Sequence, residues 1–185
     1  MADLNEEEVL QQAIQGDAEA FSHLYERYVN RIYSYIYYRT GNTTDAEDLT
    51  ARVFQRAMGR ITHYSDKGVP FSAWLYRIAH NLVANWHRDN SRRQEVALDD
   101  QPNLVMTGEH PEKQVVYDQE VEKLISVIRR LSPERQQLIV LKFVQQLSNA
   151  EIALIMSKSE GAIKSLYHRT LLELRTEVNG ILEQE

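Results

Sequence analysis

Phe21, Leu24, Tyr28, Ile32, Tyr35 and Ile36 recur at steps of three and four residues. That spacing lays apolar side chains along one stripe of an α-helix and scatters them over both faces of a strand. The same step returns in Leu49, Val53, Phe54, Ala57, Met58 and Ile61, and in Phe71, Trp74, Leu75, Ile78, Ala79, Leu82, Val83 and Trp86. It appears again in Val121, Leu124, Ile125, Ile128 and Leu131. Only 7 glycines and 4 prolines occur in 185 residues, mostly between these stripes rather than within them. The fold class is therefore all-α.

Punctuation divides the helices into two groups. Gly41-Asn42 ends the first stripe, and Thr44-Asp45-Ala46-Glu47 has the form of a capping box, with Thr44 accepting from the Glu47 amide. Tyr64 to Pro70 has loop composition, and from Ser91 to Pro111 the helical period is lost among Pro102, Gly108, Pro111 and the Asp99-Asp100 pair. Such a stretch is a linker rather than a compact loop. The expected organisation is two small helical domains, residues 1–90 and 112–185, joined by a flexible linker over 91–111. Ser132-Pro133-Glu134 supplies an N-cap, a proline at the first helical position and a first-turn acid. Ser148-Asn149-Ala150-Glu151 is a second capping box.

The absence of cysteine removes disulfides, thiolate nucleophiles and Cys-rich zinc sites. A mean hydropathy of -0.49, and a start in Glu6-Glu7-Glu8 rather than a basic and then apolar leader, predict a cytoplasmic protein without membrane insertion. The net charge of -6 speaks against nucleic acid only if taken as a total. Residues 1–20 hold 6 acids and no Lys or Arg, leaving 21 acids against 21 bases in the remainder. Between Ser72 and Arg93, Arg77, Arg88, Arg92 and Arg93 face a single acid, Asp89. A basic surface is compatible with the total.

The end of the chain carries the most informative spacing. A short helix opened by Ser148, the break Ser157-Lys158-Ser159 and a longer helix have the proportions of a helix-turn-helix. In the second of these helices Ile163, Leu166, Tyr167, Thr170, Leu171 and Leu174 share one inward face. Lys164, Ser165, His168 and Arg169 occupy the other, with Lys158 and Ser159 at its start. Cations and hydroxyls so placed suit phosphates and guanine edges in a major groove; an ordinary helical hairpin with a solvated face has the same pattern. In the first domain Asp45, Glu47 and Asp48 form an acidic cluster suited to a protein partner. The Trp74 helix is basic at Arg77, His80, Arg88, Arg92 and Arg93, and Asn81 and Asn85 are neighbours that can meet an exposed base edge. Acids favour a helix start through the dipole in any case, and Trp74 is expected in the core. The 6 histidines are scattered, with no H-E-x-x-H, no glycine-rich phosphate loop and no G-x-S-x-G setting. Neither an enzyme nor a metal or other cofactor is indicated.

The strings D-A-E-D-L-T-A-R-V-F (45–54), G-V-P-F-S-A-W-L-Y-R-I-A-H-N (68–81), L-S-P-E-R-Q-Q-L (131–138), L-S-N-A-E-I-A (147–153) and S-E-G-A-I-K-S-L-Y-H-R (159–169) occur in this order. The series resembles the extracytoplasmic-function sigma factors of bacterial RNA polymerase over about residues 10–175. The resemblance implies a region 2 helical bundle for the -10 promoter element and a region 4 helix-turn-helix for the -35 element. It places Asp45, Glu47, Asp48 and Leu49 on the beta-prime clamp and region 4 on the beta subunit. Tyr64, Ser65, Asp66 and Lys67, in a loop that captures a flipped base, fall at the -10 element with Arg77, Asn81, Asn85 and Arg88. Lys158, Ser159, Lys164, Ser165, His168 and Arg169 fall at the -35 element. The implied partners are core RNA polymerase, promoter DNA and, by the family's habit, an anti-sigma factor, with the protein itself a monomer. Ala51 and Arg52 depart from the glutamine and acid usual after D-A-E-D-L-x, and Asn85 stands where many members carry an acid. A conventional helix-turn-helix regulator, which binds duplex without polymerase, and a pure protein adaptor are the competing classes.

Overall fold

The computed structural model describes residues 5–65, 68–97 and 115–182. These form helices α1 (Glu6–Ile14), α2 (Ala18–Thr40), α3 (Thr43–Met58), α4 (Phe71–Ala97), α5 (Val115–Arg130), α6 (Pro133–Ile139), α7 (Asn149–Met156) and α8 (Glu160–Leu182). A 3-10 turn spans Ile61–His63, and a π-helical turn, Val140–Val144, follows α6 directly. Among the described residues there is no strand.

Short polar side chains open the helices by accepting from amides that have no partner within the first turn. Asp17 accepts from the Glu19 and Ala20 amides at 2.8 and 3.1 Å. Asn42, not Thr44, caps α3, accepting from the Asp45 amide at 2.9 Å. Thr44 is the second residue of the helix, where its backbone is already helical and its hydroxyl cannot take the capping position. Ser132 occupies the N-cap of α6 as expected, without a side-chain capping bond. At α7 the capping box is reciprocal: Ser148 Oγ accepts from the Glu151 amide at 3.2 Å, and Glu151 Oε2 accepts from the Ser148 amide at 2.8 Å. At the far end of α2, Gly41 closes the helix at φ +67°, a left-handed conformation that costs glycine nothing.

Helix α1 has no counterpart in the sequence reading, which begins its first helix at Phe21. Three apolar residues, Val9, Leu10 and Ala13, suffice to bury it on α2. Glu6 ties the pair, accepting from Tyr28 Oη at 2.5 Å and from Arg27 Nη1 at 2.9 Å. Burial, and next the Glu6 hydrogen bond, push the Tyr28 phenol above its usual range. The α4 helix also runs past Ser91 to Ala97, so the expected linker begins inside a helix; its remaining residues, 98–111, lie outside the described ones.

The core is continuous across both halves of the chain. Leu24, Ile32, Tyr35, Val53, Leu75 and Val83 from the first half and Ile128, Leu138, Val140, Ile152 and Ile163 from the second belong to one buried cluster. Three residues expected on inward stripes are instead exposed: Met58, Leu124 and Leu171. Each lies at the edge of its stripe, where the neighbouring helix falls short of covering it.

Candidate nucleic-acid interface and acidic partner surface

In the second half the helix-turn-helix is built around Ser157, which adopts φ +55° and turns the chain out of α7. The Lys158 amide donates back to the Ala153 carbonyl at 2.9 Å, and Ser159 Oγ accepts from the Ala162 amide at 3.2 Å to open α8. Ile163, Leu166 and Thr170 bury the inner face of α8, the Thr170 hydroxyl donating to the Leu166 carbonyl at 2.7 Å. An ion pair between Arg135 and Glu173 holds α6 to α8. With that face anchored, Lys164, Ser165, His168 and Arg169 form an exposed row on the other, with Ser159 exposed at its start. Arg169 Nε donates to the Ser165 carbonyl at 3.3 Å, holding its stem along the helix. Lys158 is also exposed, but its Nζ pairs with Glu134 Oε1 at 2.8 Å, which offsets part of its charge.

The residues singled out in the first half separate into three sets. Asn81, Asn85 and Arg88 are exposed on α4, and Arg88 Nη2 donates to Asn85 Oδ1 at 2.8 Å. In the preceding loop Tyr64 packs its ring against Phe71 and Trp74, at 5.7 and 5.1 Å between centroids, while its hydroxyl donates to the Val69 carbonyl at 2.7 Å. Ser65 is exposed beside it; Asp66 and Lys67 lie outside the described residues, as do the side chains of Arg93 and Val121. Trp74 is half-buried in this aromatic cluster rather than enclosed. Arg77 faces the second half, where its guanidinium donates to the Leu154 and Ile155 carbonyls of α7. Asn81, though exposed, shares with Arg77 and His80 a cleft whose opposite wall is Gln137, Ile155, Met156 and Ser157.

His80 does not belong to the basic face. Its Nδ1 lies 3.2 Å from Arg39 Nη1, and burial together with that guanidinium pushes its pKa down to about 4. The ring is neutral near pH 7 and accepts from Arg39. Arg39 itself escaped the sequence reading, although it continues the Ile32, Tyr35, Ile36 stripe. It is fully buried, its Nη1 donating to Tyr35 Oη at 2.7 Å while Nε and Nη2 have no hydrogen-bond partner.

The acidic cluster spans the first two turns of α3, with Asp45 in the first. Glu47 and Asp48 are exposed and Asp45 is half-buried, with Ala51 and Arg52 exposed one turn on. Leu49, which the resemblance groups with these acids, is 2% exposed and lies within the core beneath them. Helical geometry accounts for this, since the position one after Asp48 rotates about 100° toward α2.

Residues 24–93 match the Sigma-70 region 2 family model, and residues 122–174 match that of Sigma-70, region 4. A region 2 bundle followed by a region 4 helix-turn-helix is the make-up of a sigma-70-class transcription factor. Over 182 residues the chain is 30% identical to the ECF RNA polymerase sigma factor SigW of Bacillus subtilis, covering 93% of this chain and 96% of that protein. Over 167 residues it is 40% identical to the ECF RNA polymerase sigma factor BldN of Streptomyces coelicolor, covering 90% of this chain but only 63% of BldN. The chain belongs to the extracytoplasmic-function (ECF) RNA polymerase sigma factors. Its fold is shared with CnrH, solved in complex with the cytosolic domain of CnrY, at a TM-score of 0.70 and 20% identity over 96% of both chains. It is likewise shared with the sigma factor RpoE of Bartonella quintana, solved with the anti-sigma factor NepR, at a TM-score of 0.66 and 20% identity over 88% of this chain and 98% of that one.

Proposed function

We propose that this protein binds core RNA polymerase and directs it to promoters with a -10 and a -35 element, helping to open the duplex. It has no catalytic activity of its own and works in the cytoplasm as a monomer. The observation that carries the reading is the exposed row Lys164, Ser165, His168, Arg169 on a helix whose opposite face is locked in the core. Such a helix enters a major groove with its polar face toward the bases. Arg169 and Lys164 are placed for guanine, and Lys158, Ser159, Ser165 and His168 for phosphates and neighbouring edges.

At the -10 element the assigned residues are Tyr64, Ser65, Asp66, Lys67, Arg77, Asn81, Asn85 and Arg88. Extruding a base costs a few kcal/mol of stacking, which an aromatic wall and amide groups can offset. Asp45, Glu47 and Asp48 offer carboxylates to a basic surface of the beta-prime subunit, and region 4 meets the beta subunit. The same division of labour puts the polymerase and -10 contacts in the half that ends with α4 and the -35 contacts in the half that begins with α5. The complexes of CnrH with CnrY and of RpoE with NepR favour an anti-sigma factor as a further partner.

The test is transcription from a cognate promoter with purified protein and core enzyme. The double variant Lys164→Ala, Arg169→Ala should lose -35-dependent initiation by about 1–3 kcal/mol for each guanine contact removed. Asp48→Arg should abolish polymerase binding with helicity unchanged. Normal initiation by either variant counts against the corresponding assignment, and tight duplex binding that is indifferent to polymerase would favour a conventional regulator.

A further inference from the structure

Asn85 and Arg88 are neighbours on the polar side of α4, both exposed, and Arg88 Nη2 donates to Asn85 Oδ1 at 2.8 Å. An exposed asparagine can ordinarily turn either end of its amide outward. Here the neighbour removes that choice. A guanidinium only donates, so the end of the amide that faces it must be the carbonyl oxygen. Turning the amide over would set donor against donor and forfeit a charge-assisted hydrogen bond. The Nδ2 group is thereby directed away from Arg88, and it makes no hydrogen bond among the described residues.

We infer that Arg88 is a positioning residue that holds the donor end of Asn85 toward the DNA strand, so that the base it meets is selected for a keto group, thymine or guanine, over an amino group, cytosine or adenine. The inference rests on the assignment of both residues to the -10 element and specifies what that site reads. Thymine O4 and guanine O6 accept, whereas cytosine N4 and adenine N6 donate. An outward Nδ2 bonds the first pair and opposes the second. Once the base has displaced water, the opposed amide is left unpaired, which costs more than a matched contact gains. Asn81, one turn earlier and also exposed, makes no hydrogen bond among the described residues and can turn either end to a base. Discrimination between keto and amino bases therefore belongs to Asn85.

Arg88 has a second task in this arrangement. Its Nε and Nη1 groups make no hydrogen bond among the described residues, so the guanidinium can hold Asn85 and a backbone phosphate at once. One linked pair then sets the register of the strand and reads the base. The departure at this position, asparagine where many members carry an acid, matters for the same reason. A carboxylate would accept from Arg88 equally well but turn only acceptors outward.

The experiment is selection by holoenzyme, the full-length protein with core polymerase, from a promoter pool randomised across the -10 element. The wild-type protein should enrich a keto base at one position, by about fivefold over an amino base, the value of one hydrogen bond. Asn85→Asp keeps the shape of the side chain and its bond to Arg88, and should invert the preference at that position alone. Arg88→Lys, which also only donates, should preserve the preference, while Arg88→Gln, which donates or accepts, should bring it toward equality. An Arg88 that served only stability or a phosphate would weaken all sequences uniformly and shift no preference on substitution. The inference is overturned by a wild-type preference for an amino base at the position that Asn85→Asp alters, or by base choice that is unchanged in Asn85→Asp or in Arg88→Gln. Failure of the underlying assignment has its own signature: Asn85→Ala and Arg88→Ala would both leave selection and affinity as in the wild type at every position, which overturns the -10 assignment and this inference with it.

Discussion

Arg39 places a guanidinium where no water reaches, and its surroundings answer only part of its demand. Tyr35 and His80 take Nη1, and the Tyr35 ring lies 5.3 Å from the guanidinium carbon. His80 must be neutral to accept from it, which ties stability to pH. Its pKa falls from 6.5 to about 4 on folding, so between those values the unfolded chain binds more protons than the folded one. Stability is thus intact above about pH 6.5 and declines as pH falls toward 4. Because the ring is only partly buried, the loss should be on the order of 1–2 kcal/mol, a few degrees in Tm. His80→Gln, which still offers an acceptor but does not titrate, should reduce the slope of the Tm profile across that window, the remainder coming from His87, which burial also holds below its usual pKa; an unchanged slope would remove His80 as a source.

At the scale of the element, the caps show how closely sequence can be followed. The Ser148–Glu151 box is legible because Glu151 can bond back to the Ser148 amide, and the Ser159 cap because it directly precedes the α8 period. At α3, Asn42, Thr43 and Thr44 are all eligible, and the chain reversal at Gly41 decides for Asn42 by delivering it in an extended conformation, φ -136°. Asn42→Ala should therefore cost about 1 kcal/mol, whereas Thr44→Ala should stay within about 0.5 kcal/mol; urea unfolding of the two variants separates them. Stripe edges were less legible, because Met58, Leu124 and Leu171 fit the helical period as well as their buried neighbours do. Period fixes a direction around the helix axis but not how far the next helix extends.

For the whole molecule, the continuous core joining Tyr35 and Val83 to Leu138 and Ile152 makes the two regions one folding unit in the isolated protein. Calorimetry should show a single cooperative transition, since separating the regions exposes apolar surface of both. Two resolved transitions would mean that the contact contributes little. Charge is likewise a property of segments at this scale. The excess acid lies in the first twenty residues, and the body that carries the Arg169 row and the Asp48 cluster is balanced.

Sequence alone determined the helices after α1, the helix-turn-helix and the family, because periodicity, capping chemistry and motif order are local and survive without knowledge of what packs on what. It also marked the residues proposed to meet DNA and polymerase, whose chemistry shows in their types and spacing. Tertiary structure alone decided that His80 carries no charge near neutrality and that Arg77 donates to the end of a helix belonging to the other region. Each of these depends on a neighbour far along the chain, and burial and pairing between distant residues leave no period in the sequence.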